Sequence, residues 1–285
     1  MPELPEVETV RNGLSRHLHG ERISKVELNR EGLRFPFPDG MATALEGRTV
    51  IGIDRRAKYL LVRLDAGSIW LIHLGMTGKF TLYNSIDEVP GQIKHDHVVI
   101  HTASGKVAVY NDPRRFGIMD IISPGAEDEH SLLGHLGLEP LSDEFDALAL
   151  ASALRGRRSP IKTALLDQRL VVGLGNIYVC EILHRSGVSP NTLAGELVRK
   201  DGIPRVSLSR IADEIRQVLV EAIEAGGSTI SDFASVDGDL GYFAHSFQVY
   251  GREGEPCLGK VCTGTIRRIV QGGRSTFYCS RCQRS

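Results

Sequence analysis

The sequence predicts an α+β protein of two domains: an N-terminal β-sandwich with flanking helices, and a C-terminal helical domain ending in a cysteine-rich β-hairpin. Three observations predict it. Between Ile23 and Ser123 the apolar residues fall in short Val-, Ile- and Tyr-rich runs such as "YLLVRL", "SIWLIHL" and "HVVIHT", parted by Gly, Asp and Asn, as strands joined by turns do. Beyond "SPGAEDEHSLLGHLGLEPLSDEF" the apolar spacing becomes helical. The final 30 residues return to strand-like sequence and hold four of the five cysteines. The boundaries read as 2–126 for the β domain, 127–145 for a linker, 146–247 for the helical domain and 248–285 for the hairpin segment.

The first element is a helix. Val7, Val10, Leu14 and Leu18 recur at helical spacing and Gly20 follows as a stop. Its start, "MPELPEVETV", crowds two prolines and three glutamates into eight residues. Proline suits a first helical turn and carboxylates suit its positive end, so this much is explained by a helix start alone. The strands follow as described. The linker combines Pro, Gly and acids. Four helical runs come next, "DALALASALRG", "SPIKTALLDQ", "NIYVCEILHRSG" and "SLSRIADEIRQVLVEAIEAGG", the last with a stripe of Leu208, Ile211, Ile215, Leu219 and Ile223. No internal repeat or low-complexity segment interrupts them.

A chain of 285 residues with 41% hydrophobic and 24% charged residues can bury a substantial core. No apolar run approaches the roughly 20 residues that span a bilayer, and the N-terminus lacks a secretory pattern, so the expectation is a cytoplasmic protein with no membrane partner. The net charge of −1 hides an asymmetry. Asp120–Leu150 holds eight acids and no Lys or Arg, whereas Phe243–Ser285 carries seven bases against two acids. A polyanion would favour the basic end; charge alone fits a solvated face equally well.

Cys257 and Cys262 enclose four residues, and Cys279 and Cys282 enclose two. Two such knuckles in a reducing compartment point to one structural zinc ion held by four thiolates. Between them "TGTIRRIVQGGRSTFYC" reads as two strands around a "QGG" turn, with Arg274 beside the tip. Such a ribbon can cap a fold or meet a protein; its arginines favour phosphate. Cys180, alone in an apolar helical pattern, reads as core.

Two further stretches bear on binding. In "LLDQRLVVGLGNIYVCEIL", Gly173, Gly175 and Asn176 precede a helix, which suits close approach of a phosphate to backbone N–H groups; an ordinary turn with an Asn cap explains them as well. "NDPRRFG" sets Arg114, Arg115 and Phe116 on a tight loop, and "HLGMTG" sets Met76 on another. Arginine beside an apolar wedge is what fills the gap when a base leaves the duplex stack. Singly, each also fits a surface loop.

On "PELPEVE", "RRAKYLL", "HLGMTG", "KHDHV", "DPRRFG", "GLGNIY", "GGSTISDF", "GYFAHSFQVYGR" and "GRSTFYCSRCQ", the chain resembles the bacterial formamidopyrimidine-DNA glycosylases over almost its whole length. The resemblance implies a helix-two-turns-helix C-terminal domain with a zinc ribbon. It implies a monomeric enzyme that removes oxidised purines such as 8-oxoguanine from double-stranded DNA and cleaves abasic sites by β,δ-elimination. Pro2, exposed by loss of Met1, becomes the nucleophile. An α-amino group titrates about 2.5 units below a lysine, which leaves far more neutral amine at pH 7, and a secondary amine attacking C1′ gives a cationic iminium that draws electrons from neighbouring bonds.

By the same resemblance Glu3 is the acid/base and Glu6 an organising carboxylate. Lys58 contacts phosphate and donates a proton in β-elimination, although a lysine in a strand can simply face solvent and blunt an edge. Arg274 grips phosphate. His95, Arg114, Arg157 and Asn176 contact DNA, and Met76, Arg114 and Phe116 fill the void left by the flipped base. "GGSTISDFASVDGDLGYF" is implied to be a mobile loop over the lesion. The first knuckle departs from the family's two-residue spacing, so its loop must bulge or its ligand geometry differ. Two other readings stand beside this one: the sister class acting on oxidised pyrimidines, and a non-enzymatic zinc-ribbon DNA-binding protein that makes no use of Pro2.

Overall fold

The computed structural model describes residues 2–91, 93–228 and 243–284, and these group into two units. Unit 1 comprises residues up to 134 with the described part of 225–244; unit 2 comprises 135–224 and 245–284. The expected lesion loop lies outside the described residues except at its ends, Gly226–Ser228 and Phe243.

Unit 1 opens with α1 (Leu4–Leu18), which buries the predicted Val7, Val10, Leu14 and Leu18. Glu3 is its N-cap in a reciprocal capping box with Glu6, and Pro5 stands in the first turn. There follow β1 (Ile23–Leu28), a one-turn α2 (Met41–Leu45), β2 (Val50–Arg56), β3 (Tyr59–Leu64), β4 (Ile69–His73), β5 (Lys79–Tyr83), β6 (Asp96–Thr102), β7 (Val107–Asn111) and β8 (Ile118–Ile122). They form two antiparallel sheets of four strands, ordered β1-β6-β7-β5 and β2-β3-β4-β8. Inward residues of both sheets make one core with α1. Trp70 of one sheet meets Phe80 of the other edge to face at 6.4 Å, and Phe80 meets Tyr110 at 5.2 Å, aromatic contacts of the kind that add to area burial.

Unit 2 contains α3 (Ala147–Leu154), α4 (Ile161–Leu165), α5 (Asn176–Arg185), α6 (Val206–Glu224) and a hairpin of β9 (Ile266–Gln271) with β10 (Arg274–Cys279). Asp146 caps α3 by accepting from the Ala149 N–H at 2.7 Å. The run "SPIKTALLDQ" yields only five helical residues, because side chains take over the backbone beyond it: Gln168 donates to the carbonyls of Leu166 and Leu174 and accepts from the Gly173 N–H. In α6 the stripe Leu208, Ile211, Ile215 and Leu219 is buried; its last turn buries Ala222 in place of Ile223. Cys180 is buried beside Val249 and Ile266, as a core residue should be.

The expected linker is anchored piecewise. Glu127 pairs with Arg63 at 3.0 Å in unit 1, while in unit 2 Leu138 bridges Val171 and Arg216 donates to the carbonyls of Ser142 and Phe145. Residues 225–228 and 243–244, expected with the helical domain, group with unit 1 instead.

Candidate active site and zinc centre

In unit 1 the start of α1 is held from two directions. Glu6, almost fully buried, accepts from the Glu3 N–H through Oε2 at 2.9 Å and from the Ser228 N–H and Oγ–H through Oε1, both at 2.8 Å. Gly226 and Gly227 deliver Ser228 there with φ of +75° and +84°, and a Cβ on Gly227 would stand 3.2 Å from the Glu6 side chain. Pro2 and Glu3 are buried at this helix end.

Lys58 lies at the tip of the β2–β3 hairpin, with Arg56 and Tyr59 paired across a two-residue turn. The strand placement is thus corrected, and so is the solvent-facing alternative, since Lys58 is 7% exposed. The turn holds Ala57 at φ 54°, a conformation glycine adopts more readily. Arg55 donates to the Ala57 carbonyl at 3.0 Å and to Glu8 of α1 at 2.6 Å, so one guanidinium fastens the lysine turn to the second turn of α1.

Tyr59 pairs with His73 and His73 with Ile118 across adjacent strands. The Lys58 turn, the 74–78 loop carrying Met76 and the 112–117 loop carrying Arg114 and Phe116 therefore lie at one end of this sheet. A fully buried carboxylate binds these loops together. Asp112 accepts from Thr77 Oγ1 at 2.5 Å and from the Gly117 N–H at 2.9 Å; its carbonyl accepts from the Arg115 N–H and hydrogen-bonds His97 Nε2, and its N–H donates to the His95 carbonyl. Thr77 Oγ1 in turn accepts from the Arg114 N–H at 3.2 Å. The Arg114 guanidinium stacks over the Phe116 ring at 5.0 Å, and Phe116 remains 42% exposed. Met76, His95, Arg114 and Phe116, predicted from separate motifs, thus share one neighbourhood.

Ala57, His95 and Arg115 are the non-glycine residues with positive φ among the described residues, at 54°, 77° and 59°. Each flanks or forms part of this cluster, and such conformations concentrate at functional sites. His73 leads into the Met76 loop and accepts from the Gly75 N–H through Nδ1 at 3.1 Å. Burial, reinforced by the positive charges of Lys58 and Arg34, pushes its imidazole down to about 4, so it is neutral at pH 7.

In unit 2, Arg274 is exposed at the first position of β10, after a Gly272–Gly273 turn with φ of +56° and +74°. Two positive φ values in a two-residue hairpin make a type I′ turn, as "QGG" suggested. Asn176 is not a cap; Gly175 is. Asn176 Nδ2 instead donates to the Ser275 carbonyl at 2.8 Å. Lys162, fully buried and missed in the sequence, donates to the same carbonyl and to Thr276 Oγ1 at 2.7 Å. Asn176 and Arg274 are thereby brought together, while Arg157 stands exposed after α3.

The four cysteine sulfurs lie within 4.8 Å of one another, and two of the pairs stand at 3.6 Å. A tetrahedral zinc with bonds of about 2.3 Å sets its sulfurs about 3.8 Å apart, so Cys257, Cys262, Cys279 and Cys282 fit one zinc ion. The long first knuckle bulges outward, with Leu258 and Val261 exposed, and its sulfurs still converge. Gly264 permits this, because a Cβ there would stand 2.7 Å from Cys279 Sγ. The ion is structural: four thiolates leave no open position.

A sandwich with buried carboxylates, a buried lysine and loops carrying Met76, Arg114 and Phe116, and a basic ribbon whose four cysteines fit one zinc ion, define the class as a zinc-ribbon DNA-processing protein. Three family descriptions match the chain: "Formamidopyrimidine-DNA glycosylase N-terminal domain" over 1–119, "Formamidopyrimidine-DNA glycosylase H2TH domain" over 136–234, and "Zinc finger found in FPG and IleRS" over 254–284. The formamidopyrimidine-DNA glycosylase of Ruegeria pomeroyi is 53% identical over 100% of both chains. A Lactococcus lactis FPG variant in complex with a Fapy-dG containing DNA aligns with a TM-score of 0.88 at 34% identity, covering 100% of both chains. The Lactococcus lactis Fpg bound to an abasic site containing DNA aligns at 0.87 and 34%, covering 99% and 100%. The chain belongs to the formamidopyrimidine-DNA glycosylase family.

Proposed function

We propose that this protein is a base-excision-repair glycosylase that removes oxidised purines, 8-oxoguanine and formamidopyrimidines, from duplex DNA, and then opens the strand through a Schiff base on Pro2. The observation that carries the reading is the construction around the start of α1. Pro2 precedes a helix end closed by Glu3 and Glu6, and Arg55 fastens that helix to the turn bearing the buried Lys58. The relatives' complexes with Fapy-dG and abasic-site DNA support the substrate class.

Loss of Met1 leaves Pro2 with a free secondary amine. The positive end of α1 beside it disfavours protonation, which keeps the nitrogen nucleophilic near neutral pH. Attack on C1′ displaces the damaged base. The proline nitrogen gives up its proton and the C1′–O4′ bond then breaks, with Glu3 delivering a proton to O4′, which opens the sugar ring and forms the iminium. This accepts electrons as the C2′ proton leaves and the C3′–O bond breaks, and a second elimination releases the remaining phosphate. In this scheme Glu3 manages the protons of base loss and Glu6 fixes the helix end; Lys58 steadies phosphate and supplies a proton. Met76, Arg114 and Phe116 fill the vacated stack, with His95 alongside. Arg157, Asn176 and Arg274 hold phosphates from unit 2. Zinc shapes the ribbon that presents Arg274 and takes no part in the chemistry. No described helix is long and apolar enough to cross a membrane; we place the protein in the bacterial cytoplasm as a monomer on DNA.

Borohydride trapping on a duplex with one 8-oxoguanine opposite cytosine tests this reading. A covalent adduct is expected with the native protein and none with Met1-retaining protein, in which the Pro2 nitrogen is an amide. Tight zinc-dependent DNA binding without an adduct would overturn it in favour of a binding protein, and preferential trapping on thymine glycol would move it to the pyrimidine class.

A further inference from the structure

The zinc centre has a neighbour that no cysteine motif discloses. His184, in the last turn of α5, is buried with Nε2 3.3 Å from Cys257 Sγ and 3.7 Å from Cys282 Sγ. The four sulfurs close a tetrahedron by themselves, so His184 stands outside the ligand set. Its other nitrogen, Nδ1, is buried and has no hydrogen-bond partner among the described residues. The position of the ring proton follows from these contacts. A proton on Nδ1 would leave a buried donor unsatisfied and aim the Nε2 lone pair at two thiolates. A proton on Nε2 gives both sulfurs a donor and leaves only an acceptor unpaired.

We infer that His184 is a positioning residue for the zinc centre: its Nε2–H donates to the thiolates of Cys257 and Cys282 and slows loss of the metal. Four thiolates on one Zn²⁺ carry a formal charge of −2, which N–H donors disperse. The ribbon's own backbone supplies some: Gly259 N–H reaches Cys257 Sγ at 3.5 Å and Gly264 N–H reaches Cys262 Sγ at 3.4 Å. His184 adds a donor from outside the ribbon, shared between one cysteine of each knuckle. It also secures the ribbon to the far end of α5, whose near end is already joined through Asn176 and Ser275 and whose middle holds it through Glu181, which accepts from the N–H groups of Gln248, Val249 and Tyr250. The lengthened first knuckle, with its exposed Leu258 and Val261, is where such support is most needed.

The test uses the full-length zinc-loaded protein and its His184→Phe and His184→Gln variants. Phenylalanine keeps a planar ring without a donor; glutamine restores an N–H. Zinc transfer to a colorimetric chelator is expected to be about 10–100-fold faster in His184→Phe, the range typical of lost outer-shell partners, and within about threefold of native in His184→Gln. In the cobalt-substituted protein the thiolate-to-metal charge-transfer band should move to lower energy in His184→Phe only. A folded His184→Phe with native zinc release and an unmoved band overturns the inference. Should that variant fail to fold, the ring tautomer in the zinc-loaded native protein decides by nitrogen NMR: Nε2–H sustains the inference and Nδ1–H refutes it.

Discussion

Glu6 and Ser228 stand 222 positions apart, yet one carboxylate oxygen of Glu6 accepts from both the backbone N–H and the hydroxyl of Ser228 at 2.8 Å. Ser228→Ala removes one of the two bonds and should lower the unfolding free energy by about 1 kcal/mol. Glu6→Gln is worse, because an amide N–H₂ must face a donor on one side or the other; about 1–3 kcal/mol is expected. Thermal unfolding in matched buffer checks the order, which requires Glu6→Gln to melt below Ser228→Ala.

Asp112 uses both carboxylate oxygens as acceptors, one for Thr77 and one for Gly117. Asp112→Asn should therefore loosen the Met76 and Arg114–Phe116 loops together. Binding to duplex carrying an abasic-site analogue should weaken by more than tenfold, and Thr77→Val should reproduce part of the loss. Unchanged binding in a folded Asp112→Asn protein would show that the loops keep their places without it.

Gly75 has φ of +65°, and a Cβ there would stand 2.3 Å from the Phe116 carbonyl carbon; Gly105 has φ of +95° and open space around it. Both Gly→Ala variants lose the freedom of glycine at positive φ, roughly 1 kcal/mol. Only Gly75→Ala also meets backbone that cannot rotate away. It should be the less stable of the two by at least ~1 kcal/mol in denaturant titrations, since overpacking typically costs about 1–3 kcal/mol.

His73 supplies a pH signature. Its folded value of about 4 lies below the ordinary 6.5, so the unfolded chain binds the proton first and stability falls as pH drops from about 6.5 toward 4. From this one group the loss by pH 5 is about 2 kcal/mol. Denaturant midpoints at pH 8 and pH 5 should converge in His73→Gln relative to native protein, and an identical pH dependence in the two would exclude His73 as the source.

Zinc removal should act locally first. Stripping the ion leaves four mutually close thiols in a segment with little apolar core of its own, so 254–284 should lose its hairpin while unit 1 keeps its sheets. Hydrogen exchange with and without a zinc chelator reads this directly, with Arg274 and its neighbours among the first amides to lose protection.

Much of this was legible in the sequence where the signal is local. The α1 stripe, the paired knuckles and the "QGG" turn each depend on residues within a few positions, and composition and periodicity report those. The resemblance then tied the dispersed motifs to one another. What the sequence hid was contact at long range. Nothing in "RRAKYLL" says that Lys58 is buried, or that Arg55 of the same run reaches back to Glu8 of α1. Asp112, Lys162 and His184 look like ordinary polar residues until the fold sets them among partners dozens of positions away. Asn176 read equally well as a cap, since a helix start does not reveal which neighbour its first side chain will meet.

The outward bulge of the first knuckle also offers a practical handle. Val261 is 97% exposed in the added part of that loop, so the tetrahedron closes without help from its side chain. A reporter attached there through an unnatural amino acid, which avoids a further thiol beside the zinc ligands, would ride on the ribbon and leave its metal ligands untouched. Through it the basic hairpin could be followed by fluorescence as the protein meets and leaves a duplex.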